Sequence, residues 1–191
     1  MKNKSLVLIQ LLFLFSCTPV IKLYYGYYQP KSEDSKSLTE YYTKKGIDIG
    51  NILVLSDSVK YKERLKEING FPEIRVFSKE GSLVYYKDTS KSCNGPAYEF
   101  TESICNEAGL KPNVSKNLTS ETNGLLELNN SPFHITADTT YDYYVFIYSA
   151  RFAGRLNKDH VKVWMRNLDN VKGCKVKYYL VDLDWQKSWD Q

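Results

Sequence analysis

Two apolar runs near the carboxyl end constrain this fold more than any other feature of the chain. Tyr143 to Tyr148 is a continuous apolar segment, and Val176 to Leu183 is a second strand-like run. Between them Val161, Trp164, Met165 and Leu168 recur at helical spacing, so one apolar face of a helix lies between two strands. A strand without polar alternation is covered on both faces, as in parallel sheets. Parallel neighbours need a crossover, and a helix of this length supplies it, so 143–183 reads as a right-handed parallel βαβ unit. Asn157 is placed to cap the helix and Gly173 to follow it.

The preceding residues alternate elements as an α/β protein does. Val20 to Tyr25 reads as a strand, and Leu38, Tyr41 and Tyr42 mark a helix that stops at Gly46. Asn51 to Leu55 is a short apolar strand. Asp57 or Ser58 is suited to cap a helix whose face would be Tyr61, Leu65 and Ile68. Phe71-Pro72 leads into a strand over 73–78, Lys79-Glu80-Gly81 is a tight turn, and 82–87 pairs back as a hairpin. Pro96 is suited to start a helix carrying Phe100, Ile104 and Ala108. Residues 20–109 therefore read β-α-β-α-β-β-α. From Leu110 to Tyr141 the pattern dissolves into Asn, Ser, Thr and Pro, which predicts an irregular connection.

The amino end carries an address. Lys2 and Lys4 precede an apolar run from Leu6 to Phe15, broken only by Gln10. That is the layout of an export signal and is short for a membrane-spanning helix. The run ends at Leu14-Phe15-Ser16-Cys17, which resembles the lipobox of bacterial lipoproteins, although Phe15 is bulkier than usual at its position. The resemblance implies removal of residues 1–16, lipidation of Cys17, and anchoring of the mature chain to a membrane, since each buried methylene contributes roughly 0.8 kcal/mol. Thr18, Pro19 and Val20 follow with no acidic cluster, which favours a periplasm-facing protein of the cell envelope.

Composition excludes more than it selects. The formal charge is +4, and two of those charges belong to the leader. The nearly neutral body gives no electrostatic case for nucleic acid. The only histidines are His134 and His160, and no His or Cys cluster has metal-ligand spacing. Beyond Cys17 remain Cys93, Cys105 and Cys174, which leaves at least one thiol unpaired within a monomer. Cys93 and Cys105 are twelve residues apart and form a candidate local disulfide, with a buried inert Cys105 as the alternative. Cys174 reads as a packed residue at the mouth of a strand. The tyrosine pairs read as sheet and core packing, because adjacent strand side chains point to opposite faces.

Two stretches resemble thioredoxin-like proteins. One is the β-α-β-α-β-β-α order over 20–109, with Pro72 where that fold places a cis-proline. The other is Asp142 to Trp185, similar to the amino-terminal βαβ of that fold. The resemblance implies an α/β protein with a thioredoxin-like mixed sheet flanked by helices. The chain would divide into a leader (1–16), a thioredoxin-like segment (17–109), an irregular connection (110–141) and an extra βαβ unit (142–191). That unit would share the sheet or pack against it. What such oxidoreductases require is a cysteine at the start of the first helix, where the helix dipole lowers the thiol pKa. Here Ala150-Arg151-Phe152-Ala153-Gly154-Arg155-Leu156-Asn157 has none, and neither has Tyr27 to Ser32.

Arg151 and Arg155 at that helix start are candidate anion-binding residues, with solvated loop arginines as the alternative. Asp182-Leu183-Asp184 is similar to the nucleophile motif of haloacid-dehalogenase-type phosphatases. It lies seven residues from the end of the sequence, so a pair capping a short terminal helix is the reading adopted. No cofactor, metal or catalytic residue is expected. The function expected is a lipid-anchored envelope protein with a non-redox thioredoxin-like domain and a binding or structural role towards an envelope protein. The rival is a thiol-dependent oxidoreductase using Cys93 or Cys105. A third reading, sugar or peptide binding, requires several tyrosine rings exposed on one face.

Overall fold

The computed structural model describes residues 24, 26, 29–86, 95–106, 111–135 and 140–190. The leader, Cys17, Cys93, Ala108 and nearly all of the strand expected over 20–25 lie outside the described residues.

Local chemistry sets the first elements. Asp34 and Ser37 form a reciprocal cap on α1 (Ser35–Lys44), the Asp34 carboxylate accepting from the Ser37 N–H at 2.8 Å. After β1 (Ile52–Leu55), Asp57 caps α2 (Ser58–Glu67) by accepting from the N–H groups of Val59 and Lys60. The Phe71–Pro72 bond is cis and precedes the hairpin of β2 (Glu73–Ser78) and β3 (Ser82–Tyr85), turned by Gly81 at φ 80°. α3 (Gly95–Ser103) follows. The remaining elements are β4 (Lys111–Asn117), α4 (Leu118–Thr122), β5 (Leu125–Glu127), β6 (Tyr143–Ser149), α5 (Lys162–Asp169) and β7 (Val176–Asp182). α5 continues a π-helical turn, Asn157–Val161.

All seven strands form one mixed sheet in the order β4-β3-β2-β6-β7-β1-β5. β6 and β7 are parallel neighbours from Tyr143↔Val176 to Ser149↔Asp182, as their apolar character predicts. β1 extends the parallel set beside β7, and β2 runs antiparallel to β6. The hairpin and the carboxyl-terminal βαβ unit thus share one sheet. Ile52, Val54, Ile74, Val76, Val145, Ile147 and Leu180 face one side, beneath α1, α3 and α5, where Trp164 is fully buried. Leu53, Leu55, Phe77, Phe146 and Val181 face the other, with Leu118 of α4 and Tyr61 of α2 packed among them.

The stretch expected to be irregular, 110–141, instead supplies both edge strands, β4 and β5. Edge strands are short and half solvated, so they need neither apolar runs nor a donor at every residue, and Pro112 sits within β4. Only α4 and two further residues join them. That link reaches about 20 Å, taking ~1.5 Å per helical residue and ~3.5 Å per extended one. A flat sheet would separate its edges by roughly 29 Å, at about 4.8 Å per strand spacing. The sheet therefore curls, with α4 closing the gap.

A buried ionic cluster fastens α4 there. Glu121 receives Arg64 from α2 at 2.9 Å and Arg75 from β2 at 3.1 Å, and it also accepts the Tyr148 hydroxyl. Arg75 is held further by Glu73 at 2.7 Å. Both guanidinium groups lie over the Tyr148 ring, at 5.4 and 5.0 Å. This corrects the face expected for α2. Leu65 is 42% exposed, while Arg64 turns inward because its charge has partners there.

Candidate functional site at the carboxyl ends of the parallel strands

Open α/β sheets bind ligands beyond the carboxyl ends of their parallel strands. Here β6 ends at Ser149 and β7 at Asp182, which are paired in register. The chain leaves β6 through Ala150 and a 3-10 turn at Arg151–Ala153, then bends at Gly154 (φ 56°) into the π-helical turn. Asn157 is not the helix cap the sequence suggests. It lies inside the π turn, and its amide donates to the Ala150 carbonyl at 2.8 Å while its Oδ1 is buried without a partner among the described residues. Such turns are frequent at functional sites.

Behind this loop lies an acidic cluster. The Tyr42 hydroxyl donates to Asp182, the Asp184 N–H donates to Asp182 Oδ1 at 2.9 Å, and the Arg151 N–H donates to Asp184 at 2.6 Å. The pair does not cap the terminal turn, whose cap position, Gln186, makes no side-chain hydrogen bond to it. Glu33 is brought in by its own backbone, which pairs with Trp185 and Lys187, and it forms an ion pair with Arg151. Burial, then the neighbouring Asp184 charge, pushes the Asp182 carboxyl well up. Burial pushes Asp184 up to about 6, against the opposing Arg151 N–H.

The sign of the resulting pH dependence is fixed. Asp184 keeps its proton in the folded protein between its ordinary 3.8 and about 6, where the unfolded chain has lost it. The folded state binds more protons in that window, so stability falls as pH rises through it and stays low above. Asp34 and Asp57, which are shifted downward, act below that window, and Glu67, also shifted downward, acts below its ordinary 4.5. The urea midpoint is expected to fall from about pH 4.5 to about pH 7, and Asp182→Asn with Asp184→Asn to flatten most of that slope.

In front of the loop, between α1 and α5, opens a cavity of about 330 Å³. Tyr41, Tyr42, Ser149 and Asn157 line it with Ile47, Val161 and Leu180, and Lys45, Lys158 and Lys162 stand around it. Neither Asp182 nor Asp184 is among its lining residues.

The sequence candidates distribute as follows. Arg151 reaches this region, but its charge is matched by Glu33 and its guanidinium lies 4.6 Å over the Tyr41 ring. Arg155 is exposed, 5.8 Å from the Tyr24 ring, and does not line the cavity. The cations that do are the lysines. Lys158 and Lys162 carried a legible signal, since residues four apart share a helix face.

The disulfide is Cys105–Cys174, with a Cα–Cα distance of 5.4 Å, in place of the expected Cys93–Cys105. α3 packs against α5, which brings the residue just beyond α3 to the one just before β7. Two tyrosine pairs split across the sheet as expected, Tyr144 and Tyr179 to one face and Tyr143 and Tyr178 to the other, whereas Tyr41 and Tyr42 are helical and pack on the same side. Among the described residues no group of three or more His, Cys, Asp or Glu side chains is placed to hold a metal ion. No helix there is long and apolar enough to cross a membrane.

The fold and site thus define a mixed α/β protein with a cavity at the ends of its parallel strands. No protein-family model, no curated protein and no solved structure matches the chain.

Proposed function

We propose that this chain is a lipid-tethered protein of the cell envelope whose thioredoxin-like sheet carries a binding cavity in place of a redox centre. The fold reading is supported by the strand order β3-β2-β6-β7, in which the hairpin and the βαβ unit lie side by side. Relative to the fold it resembles, the βαβ unit comes after the hairpin in the chain instead of before it. The observation that carries the function is the cavity itself. It occupies the start of the helix that follows β6, and its lining contains no cysteine. Cys105 and Cys174 are joined to each other and lie outside that lining. Without a thiolate at the helix start, dithiol exchange has no nucleophile there.

The exposed aromatic side chains do not favour sugar or peptide stacking. Tyr85 shares the Leu83 side of β3, Tyr98 belongs to α3 on the other side of the sheet, and Tyr24 lies beside Arg155, 5.8 Å from its guanidinium. The tether rests on Leu14 to Cys17. Its test is detergent phase partitioning of the protein expressed in a bacterium. The unsubstituted chain is expected in the detergent phase and Cys17→Ser in the aqueous phase. Equal partitioning of the two would remove the anchor from the reading.

A further inference from the structure

We infer that the cavity between α1 and α5 takes a small organic anion, with an apolar or aromatic body, one carboxylate or phosphate group, and a hydrogen-bond donor. The inference rests on the binding role proposed above and names its ligand class. The volume, about 330 Å³, falls at the small end of ligand sites, which span about 300–1,000 Å³.

Charge gives the sign. Lys45 arrives from the end of α1, and Lys158 and Lys162 from successive turns of the opposite helix. Among the described residues no carboxylate lines the cavity and none of these lysines is in an ion pair. Of the nearby acids Glu33 is engaged by Arg151, Asp182 by Tyr42 and Asp184 by the Arg151 N–H, while Asp159, in the same turn as Lys158, is exposed and does not line the cavity. Lys158 and Lys162 repel one another across a helical turn, and an anion between them relieves that repulsion. The amino-terminal part of a helix adds positive potential of its own.

Two further features shape the ligand. Asn157 Oδ1 is buried with no hydrogen-bond partner among the described residues, an arrangement that is rare without a reason, and a ligand hydroxyl or N–H would satisfy it. Val161 and Leu180 supply an apolar wall for the body of the molecule.

The test is calorimetric titration of the detergent-solubilised, lipid-anchored protein at about pH 5, where a phosphate monoester keeps one P–OH donor, with phenyl phosphate, and with phenol and benzylamine as neutral and cationic counterparts. Phenyl phosphate is expected to bind saturably and at least tenfold more tightly than either counterpart. Lys158→Met with Lys162→Met is expected to weaken it at least tenfold, with an unchanged circular dichroism spectrum. Lys66→Met with Lys172→Met, exposed and outside the cavity, is expected to leave binding unchanged. Phenol binding as tightly as phenyl phosphate would overturn the anion assignment and leave the binding role standing. No binding by any of the three would overturn both. Equal weakening by the two lysine pairs would reduce the effect to net charge, and competition by phosphatidylglycerol vesicles would reassign the lysines to a membrane surface. Either result overturns the inference.

Discussion

Replacing Glu121 by alanine is expected to cost about 3–5 kcal/mol of folding stability, the range for breaking a buried ion pair from one side. Glu121 is 2% exposed, and the two arginines it meets are 7% and 6% exposed. Removing its carboxylate leaves Arg75 with the buried Glu73, and leaves both arginines with the exposed Glu67, at 3.5 Å from Arg64 and 3.1 Å from Arg75. The cost falls at a joint of the fold, since α4 is the short link across the sheet and loses its carboxylate ties to α2 and β2, keeping the bond from Arg64 to the backbone carbonyl of residue 121 at 2.7 Å. Thermal unfolding should move down on the order of 10 °C, at roughly 2–4 °C per kcal/mol for a chain of this size. The exposed Lys60–Glu63 pair at 3.0 Å is the control. Lys60→Met there should change stability by less than about 1 kcal/mol. A Glu121→Ala protein as stable as the parent would show that the cluster does not hold the sheet closed.

Loss of the Cys105–Cys174 bridge is the second large effect. The bridge closes a loop spanning a sequence separation of 69. On the chain-entropy account, a loop of that length is worth about 4 kcal/mol at 25 °C. Changing both cysteines to alanine should lower the urea midpoint accordingly, with the slope of the transition reporting a less restricted unfolded chain. The bridge ties the end of α3 to the entry of β7, far from the cavity lining, so the same variant should bind phenyl phosphate as the parent does. Stability falls while binding stays, which separates a staple from a working thiol pair.

How far the fold could be read from the sequence follows from where burial is two-sided. β6, α5 and β7 were legible because Val145, Phe146 and Ile147 are fully buried and Trp164 anchors the helix between the strands. The hairpin was legible from Gly81, whose φ of 80° marks the turn. β4 and β5 were not, because an edge strand draws its order from a partner far away in the chain and carries no periodicity of its own. Arg64 misled for a related reason. Its burial depends on Glu121, 57 residues further on, and no local pattern announces that.

The site was half legible. The missing thiol at 150–157 was plain in the sequence, and so was the concentration of cations at that helix start. What the sequence did not show about Arg151 is its ion pair with Glu33, which comes from a distant part of the chain. The true bridge partner of Cys105 was hidden in the same way, since Cys174 comes near only once α3 packs on α5.

The central claim is that this protein works by binding and not by thiol exchange. The measurement that reaches it most directly is iodoacetamide labelling of the native protein near neutral pH, followed by peptide mass mapping with and without reductant. Cys105 and Cys174 are expected to stay unlabelled and linked until reductant is added, then to label together, and no thiol should react rapidly in the native state. Rapid native labelling of Cys105, Cys174 or Cys93 would contradict the claim, and a substrate would then have to be sought at that cysteine.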